Sequence, residues 1–394
     1  MFLKFKIENF LSINEPVEID FQCSKTQKLD DTAVQTNNAY INKIACLVGP
    51  NAAGKTNILR SFVYFSSFVR DSYLGVPLVY FPHFFAKGKP TSFEVELVSE
   101  EKRYKYNVTF NNEKILSEDL WYFNDNTKRY ISVFLRDGSN FSCKIKMNET
   151  DKKRLSNNVT LFSLLKHLKY FESNGYKGEA FPPVLNNVSM LYDIAADLSE
   201  FAQLEKFAKE LYEKPDILKE LNKEAQSVDF GIEEISIEKV NGGGNPFSDK
   251  ETKTLRVLHK YKDQEAKLPM FLESSGTRNY IKLYTKIKEI LDSGSVLIAD
   301  ELEASLHIDL VERILSLFMK KETNPNNAQI LFTTHNPWFL QYLTKSQIFI
   351  AQKQDNLSTE CFRLDEVNGV RNDENFFMKY ISGEYDGKPR IKEV

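Results

Sequence analysis

The chain has 394 residues, enough for one large domain or two modest ones with a substantial core. Its hydrophobic content of 42% and charged content of 27% are ordinary for a soluble globular chain, and a formal net charge of -3 excludes the global basic bias of a nucleic-acid coat protein. Four scattered cysteines, Cys23, Cys46, Cys143 and Cys361, form no CxxC pair, and the five histidines are scattered too, which argues against a disulfide framework or a zinc cluster and fits a reduced, cytoplasmic setting.

The opening MFLKFKIENF alternates like a strand, lacks the charged-then-apolar pattern of a leader, and pairs with PVEIDF across a polar turn. IACLV at 44–48 is a continuous apolar run ending at Gly49, the pattern of a strand buried on both faces. A helical stretch follows to about Asp71. The next apolar stretch, Tyr73 to Phe85, is broken by Gly75, Pro77 and Pro82 and falls short of the roughly 20 residues that cross a bilayer, so no membrane role is expected. From Ser92 to Ile145 the alternation of SFEVELV, RYKYNVTF and KRYISVFL predicts antiparallel strands. Residues 151–228 become dense in Glu and Lys, with apolar residues at helical steps such as Leu198, Phe201, Leu204, Ala208 and Leu211. Strand-like GIEEISIEKV and a flexible NGGGNP turn come next; VLIA and QILFTT are again buried-strand runs separated by helical segments. Apolar strands alternating with helices predict an α/β core. The expected organisation is an N-terminal lobe with antiparallel strands at 1–150, a helical insertion at 151–228 and a C-terminal lobe at 229–394.

Gly49-Pro50-Asn51-Ala52-Ala53-Gly54-Lys55-Thr56 fits G-x-x-x-x-G-K-[ST], with the required strand before it and helix after it. Small residues let backbone N–H groups turn toward a phosphate at the positive end of the helix. Lys55 is expected to bridge the β- and γ-phosphates, the Thr56 hydroxyl to ligate Mg2+, and Asn57 to complete the loop. Asp300-Glu301 closes the apolar strand VLIA, where buried carboxylates are costly unless used. Asp300 is read as a Mg2+ ligand through water and Glu301 as the general base, against the plainer reading of a solvated strand end. In ESSGT at 273–277, Ser274, Ser275 and Gly276 are either an ordinary helix cap or a second anion site that grips the γ-phosphate held by a neighbouring subunit. His335, after QILFTT, either caps a strand or senses the γ-phosphate. EASLH at 303–307 is by itself an ordinary helix start, and Arg60 and Arg278 are candidates for further phosphate or partner contacts. The order of the loop, ESSGT, VLIADE, EASLH and TTH is that of ABC-type ATPase heads.

With these phrases, and with FKIENFLSI, NEKILSEDLWYF, SVDFGIEEISIE, FLESSGTRNYIKL, QILFTTHNPWFL and the closing YISGEYDGKPRI, the chain resembles the ABC-like AAA ATPases of prokaryotic defence and abortive-infection loci, the AbiLi or RloA type. The resemblance covers nearly the whole chain. It implies an α/β P-loop NTPase of ABC-head type with an antiparallel β-subdomain and a helical insertion. It implies ATP and Mg2+ as ligands, association of heads around ATP into a homo-oligomer, and a separate effector, a nuclease or a toxin, under its control. A DNA-repair or recombination ATPase that clamps DNA is the alternative; near-neutral charge and the lack of sustained heptads in 151–228 disfavour it. The sequence departs from the pattern at two points: no glutamine occurs between Gln35 and Gln203, and the signature is ESSGT.

Overall fold

The computed structural model describes residues 1–23, 32–36, 39–99, 102–173, 188–191, 200–228, 231–241, 251–304, 306–385 and 387. Leu198, positions 229–230 of SVDFGIEEISIE, positions 242–246 of the NGGGNP turn, Ser305 of EASLH, and Asp386 and positions 388–391 of the closing phrase lie outside the described residues. The chain divides into two compact units: 1–190, 291–302 and 315–394 form the first, 191–290 and 303–314 the second.

Besides a small sheet of Gln22–Cys23, Tyr40–Asn42 and Ala33–Gln35, the first unit holds two larger ones. One is antiparallel and runs Asn140–Cys143, Arg129–Asp137, Ile115–Asn124, Lys102–Phe110, Thr91–Ser99, Phe2–Glu8 and Val17–Asp20. Its strands Thr91–Ser99 and Lys102–Phe110 alternate between buried and more exposed positions, as a sheet with one covered face requires. The other sheet carries the continuous apolar runs as parallel neighbours, in the order Val296–Ala299, Gln329–Thr333, Ile44–Val48 and Ile348–Lys353. Thr359–Arg363 returns antiparallel beside Ile348–Lys353. Every residue of Ile44–Val48, Val296–Ala299 and Gln329–Thr333 is buried, which explains why these strands show no polar alternation.

The helix Lys55–Asp71 buries Ile58, Leu59, Phe62, Phe65, Phe68 and Val69, a stripe at steps of three and four. The Phe62 ring stacks on Phe5 at 3.7 Å between centroids, and Phe65 meets Phe93 at 5.3 Å. This aromatic layer joins the helix to the antiparallel sheet and fixes where the helix begins, and with it the phosphate loop.

Residues 151–173 do not stand apart as the start of an insertion. The short helix Leu161–His167 buries Leu161, Phe162, Leu164 and Leu165 in the same core as Phe62 and Phe65, because its apolar stripe has no other face to cover. Its first turn is tied down by Glu118, whose carboxylate accepts from Leu161 N (2.7 Å) and Phe162 N (2.9 Å).

The second unit contains the helices Glu200–Tyr212 and Pro215–Ser227 and an antiparallel sheet of Ile232–Asn241, Glu251–Tyr261 and Gln264–Pro269. There the buried Glu224 carboxylate accepts from Tyr280 Oη (2.5 Å) and from Arg313 Nε (2.5 Å) and Nη2 (2.8 Å). The guanidinium holds Glu224 below the usual carboxylate range against the opposing effect of burial. Among the described residues no helix is long and apolar enough to cross a membrane.

Candidate nucleotide site

The loop 49–54 joins the buried strand Ile44–Val48 to the helix Lys55–Asp71. Its backbone uses the left-handed region at Gly49 (φ 150°), Ala52 (φ 63°) and Gly54 (φ 99°). Gly54 occupies the N-cap position and supplies no side-chain cap, so the first turn's N–H groups stay available to an anion. A Cβ on Gly54 would stand 1.9 Å from Thr359 Oγ1 and 2.8 Å from Ser12 Oγ, and one on Gly49 would stand 2.1 Å from the Ala351 carbonyl oxygen. Both glycines are therefore fixed by close approach as well as by φ.

Lys55 is 5% exposed, and its ammonium donates to the carbonyls of Gly49 (2.8 Å) and Pro50 (3.1 Å). The cation is thus held inside the loop it closes. Thr56 Oγ1 donates to Asp300 Oδ2 at 2.8 Å, bringing together two oxygens 244 positions apart in the chain. Thr333 Oγ1 donates to Asp300 Oδ1 (2.6 Å) and accepts from Glu301 N (2.8 Å). One buried hydroxyl thereby orients both acids. Glu301 sits at φ 48°, a conformation rare for a residue with a side chain, and this bond holds it there. Its Oε1 lies 3.1 Å from His335 Nε2.

These groups line one cleft of about 770 Å3 that runs from Ser12 and Asn57 past Lys55 and Thr56 to Asp300, Glu301 and His335. Asn51, Ala52, Ala53 and Gly54 line it too, and Asn57 Nδ2 donates to Ser12 Oγ at 2.8 Å. The chemistry of the set fits a polyphosphate with a hard divalent cation. A cation and free helix N–H groups face the anion, a hydroxyl and a carboxylate offer oxygen ligands, and a second carboxylate with a histidine stands beside them.

In the second unit, Ser274 Oγ accepts from Thr277 N at 3.1 Å and meets Thr277 Oγ1 at 2.8 Å, so Ser274 caps the helix Ser275–Ser293, whose first turn holds Ser275 and Gly276. Glu273 accepts from His259 Nε2 at 2.8 Å, and this bond lifts the imidazole above its ordinary value. The Arg278 guanidinium donates to the carbonyls of Phe271 and Glu273, so it secures this same turn. His307 contacts Asp309 at the start of the helix Ile308–Met319, as an ordinary helix start does.

Two lining residues of the cleft escaped the sequence reading, Ser12 and Lys353, as did two that bond to its lining residues, Thr333 and Thr359. Ser12 Oγ and Thr359 Oγ1 meet at 2.7 Å, and Lys353 ends the strand beside the phosphate-loop strand. A separation of 347 residues leaves no local pattern from which the Ser12–Thr359 contact could be foreseen. Thr333 had a signal, a hydroxyl ending an otherwise apolar strand beside the acids. Among the described residues no glutamine lines the cleft.

No curated protein matches the chain. Among solved structures, the SMC head domain from Thermotoga maritima is similar at a TM-score of 0.45 and 12% sequence identity, over 92% of this chain and 98% of that one. The parallel strands, phosphate loop and flanking antiparallel sheet make the first unit an α/β P-loop NTPase head of ABC type. The family model that matches residues 44–340 is that of the AAA domain described as a putative AbiEii toxin of a type IV toxin–antitoxin system, and the chain belongs to that family.

Proposed function

We propose that the protein hydrolyses ATP to ADP and phosphate, and that its nucleotide state governs a separate effector in a prokaryotic antiviral or abortive-infection system. The convergence of Lys55, Thr56, Asp300, Glu301 and His335 on one cleft carries the catalytic half of this reading. Lys55 and the N–H groups of loop 49–54 bind the β- and γ-phosphates. Thr56 and Asp300 would hold Mg2+, and the cation would supply neutralisation of the phosphate charge. Glu301 takes the proton of the attacking water, and His335, bonded to the same carboxylate, keeps it aimed at that water.

The family description, a putative toxin of a toxin–antitoxin system, supports the regulatory half. In this reading two copies associate head to head around ATP. Ser274, Ser275 and Gly276 of one copy meet the γ-phosphate in the other, supported by their place at the start of the helix Ser275–Ser293, where N–H groups suit an anion. Four cysteines that form no disulfide support a reducing, cytoplasmic setting.

The test is Glu301→Gln. It removes the base while keeping the shape, and is expected to lower kcat by about 10^2–10^4 with ATP affinity intact. Light scattering in ATP and Mg2+ should find this variant as a dimer or larger. Hydrolysis at the parental rate would sink the assignment of the base; a monomer in saturating ATP would sink the head-to-head association.

A further inference from the structure

We propose that the nucleoside of the bound nucleotide is held beside the phosphate loop by stacking on Phe81 and Phe84, and that this subsite leaves the edge of the base unread, so adenine and guanine nucleotides are both taken. The inference rests on the phosphates occupying loop 49–54.

Sheet order sets the direction in which the nucleotide lies. The strand Ile44–Val48 has Gln329–Thr333 on one side, followed by Val296–Ala299; their ends carry His335, Asp300 and Glu301. On its other side lie Ile348–Lys353 and Thr359–Arg363. The groups suited to the γ-phosphate are all on the first side. The nucleoside end therefore leaves on the second, where Ser12 meets Thr359 and Asn57.

A second cavity of about 500 Å3 opens at that end and shares Ser12 and Asn57 with the phosphate cleft. Leu11, Phe81, Phe84 and the cations Arg60 and Lys87 line the rest of its wall. Its volume falls within the range of small-molecule sites.

The aromatic wall is built, although it belongs to a loop. Leu11 N donates to the Phe81 carbonyl at 2.7 Å. The buried Asn9 accepts from His83 N (2.9 Å) and donates to the Lys89 carbonyl (2.6 Å), and Tyr64 Oη accepts from Val79 N (2.8 Å). Asn9 and Leu11 both take left-handed φ of 52° to make these contacts. The same loop leaves Phe81 55% and Phe84 45% exposed. Large apolar rings held in a pinned loop and open to solvent call for a ligand.

The chemistry of the wall decides what it can distinguish. An aromatic face stacks on any base. Arg60 and Lys87 are donors only, and among the described residues neither is engaged elsewhere. Among the described residues no carboxylate lines the cavity to accept from a guanine edge. Its uncharged polar side chains, Ser12 and Asn57, are bonded to each other. A site that hydrogen-bonds its ligand's edge can discriminate by about 10^4–10^5; stacking with donor-only cations gives a far smaller ratio.

The experiment is titration calorimetry with ADP, GDP and inorganic pyrophosphate, each with Mg2+. The parent protein should bind ADP and GDP within about tenfold of each other. Phe81→Ala/Phe84→Ala should weaken both by roughly 5- to 150-fold and leave pyrophosphate unchanged; Phe81→Tyr/Phe84→Tyr should restore them. Both rings are half exposed, so truncation spares the core. Unchanged ADP affinity in the double alanine variant, or a preference for one base beyond tenfold, overturns the proposal. Lys55→Ala separates it from the reading beneath it, since pyrophosphate binding that survives this substitution overturns the phosphate-loop assignment instead.

Discussion

Glu118→Ala should destabilise the first unit severely, although it lies outside the cleft. The Glu118 side chain is fully buried and accepts from Tyr106 Oη (2.9 Å), Leu161 N (2.7 Å), Phe162 N (2.9 Å) and Arg136 Nη1 (3.5 Å). Arg136 is 4% exposed and also donates to the carbonyls of Val159 (2.6 Å) and Ser156 (3.1 Å). Removing the carboxylate leaves a buried cation without a countercharge and two helix N–H groups without acceptors. Breaking such a pair from one side costs about 3–5 kcal/mol. Summing four bonds to a charged acceptor at about 1.5–3 kcal/mol each gives a larger figure, but bonds in one network do not add. A loss of about 4 kcal/mol is therefore expected, out of a total stability on the order of 5–15 kcal/mol.

Urea unfolding followed by tryptophan fluorescence reads this unit alone, because both tryptophans of the chain, Trp121 and Trp338, belong to it. With a slope of about 3 kcal/mol per molar urea, the midpoint should fall by about 1.3 M. Glu118→Leu/Arg136→Met should recover part of the loss, since no charge is then orphaned. A midpoint for Glu118→Ala within about 0.3 M of the parent would refute the reasoning; at the same slope that shift is below about 1 kcal/mol.

Gly54→Ala places a methyl group against Thr359 at a φ of 99°, and should abolish nucleotide binding in calorimetry while costing at least about 1 kcal/mol of stability. Thr56→Ala and Asp300→Asn each remove one of two paired oxygens. Each should raise the Mg2+ concentration needed for half-maximal hydrolysis by at least tenfold, measured as phosphate release; an unchanged requirement would mean the cation sits elsewhere. The His259–Glu273 bond raises the imidazole above its ordinary value of 6.5. Its contribution is therefore fully present below about pH 6.5 and lost as pH rises through the raised value. Hydrogen exchange corrected for intrinsic rates should show the turn at 273–277 opening more above that window, and His259→Gln should flatten the change.

The fold was legible where burial is total or strictly alternating. IACLV, VLIA and QILFT show no polar face because the parallel sheet covers both of theirs. The strands Thr91–Ser99 and Lys102–Phe110 alternate because one face is covered. The region 151–228 was harder to read, since a mixed-charge amphipathic pattern says that one face is buried but not against what. Leu161–His167 turned out to bury its stripe in the aromatic core of the first unit.

The sequence by itself determined the phosphate loop, because Gly49, Gly54, Lys55 and Thr56 act within eight consecutive positions and need only a strand before and a helix after. It also marked the acids at Asp300 and Glu301, since charges ending a buried strand are costly without a use. Only the tertiary structure decided that Thr333 orients both acids, that Ser12 meets Thr359, and that Phe81 and Phe84 wall a cavity next to Asn57. Those contacts join residues through strand order and a pinned loop. A hydroxyl or a phenylalanine looks the same along the chain whether its partner is water, core or ligand, and the neighbour that gives it a role arrives only when distant strands pair.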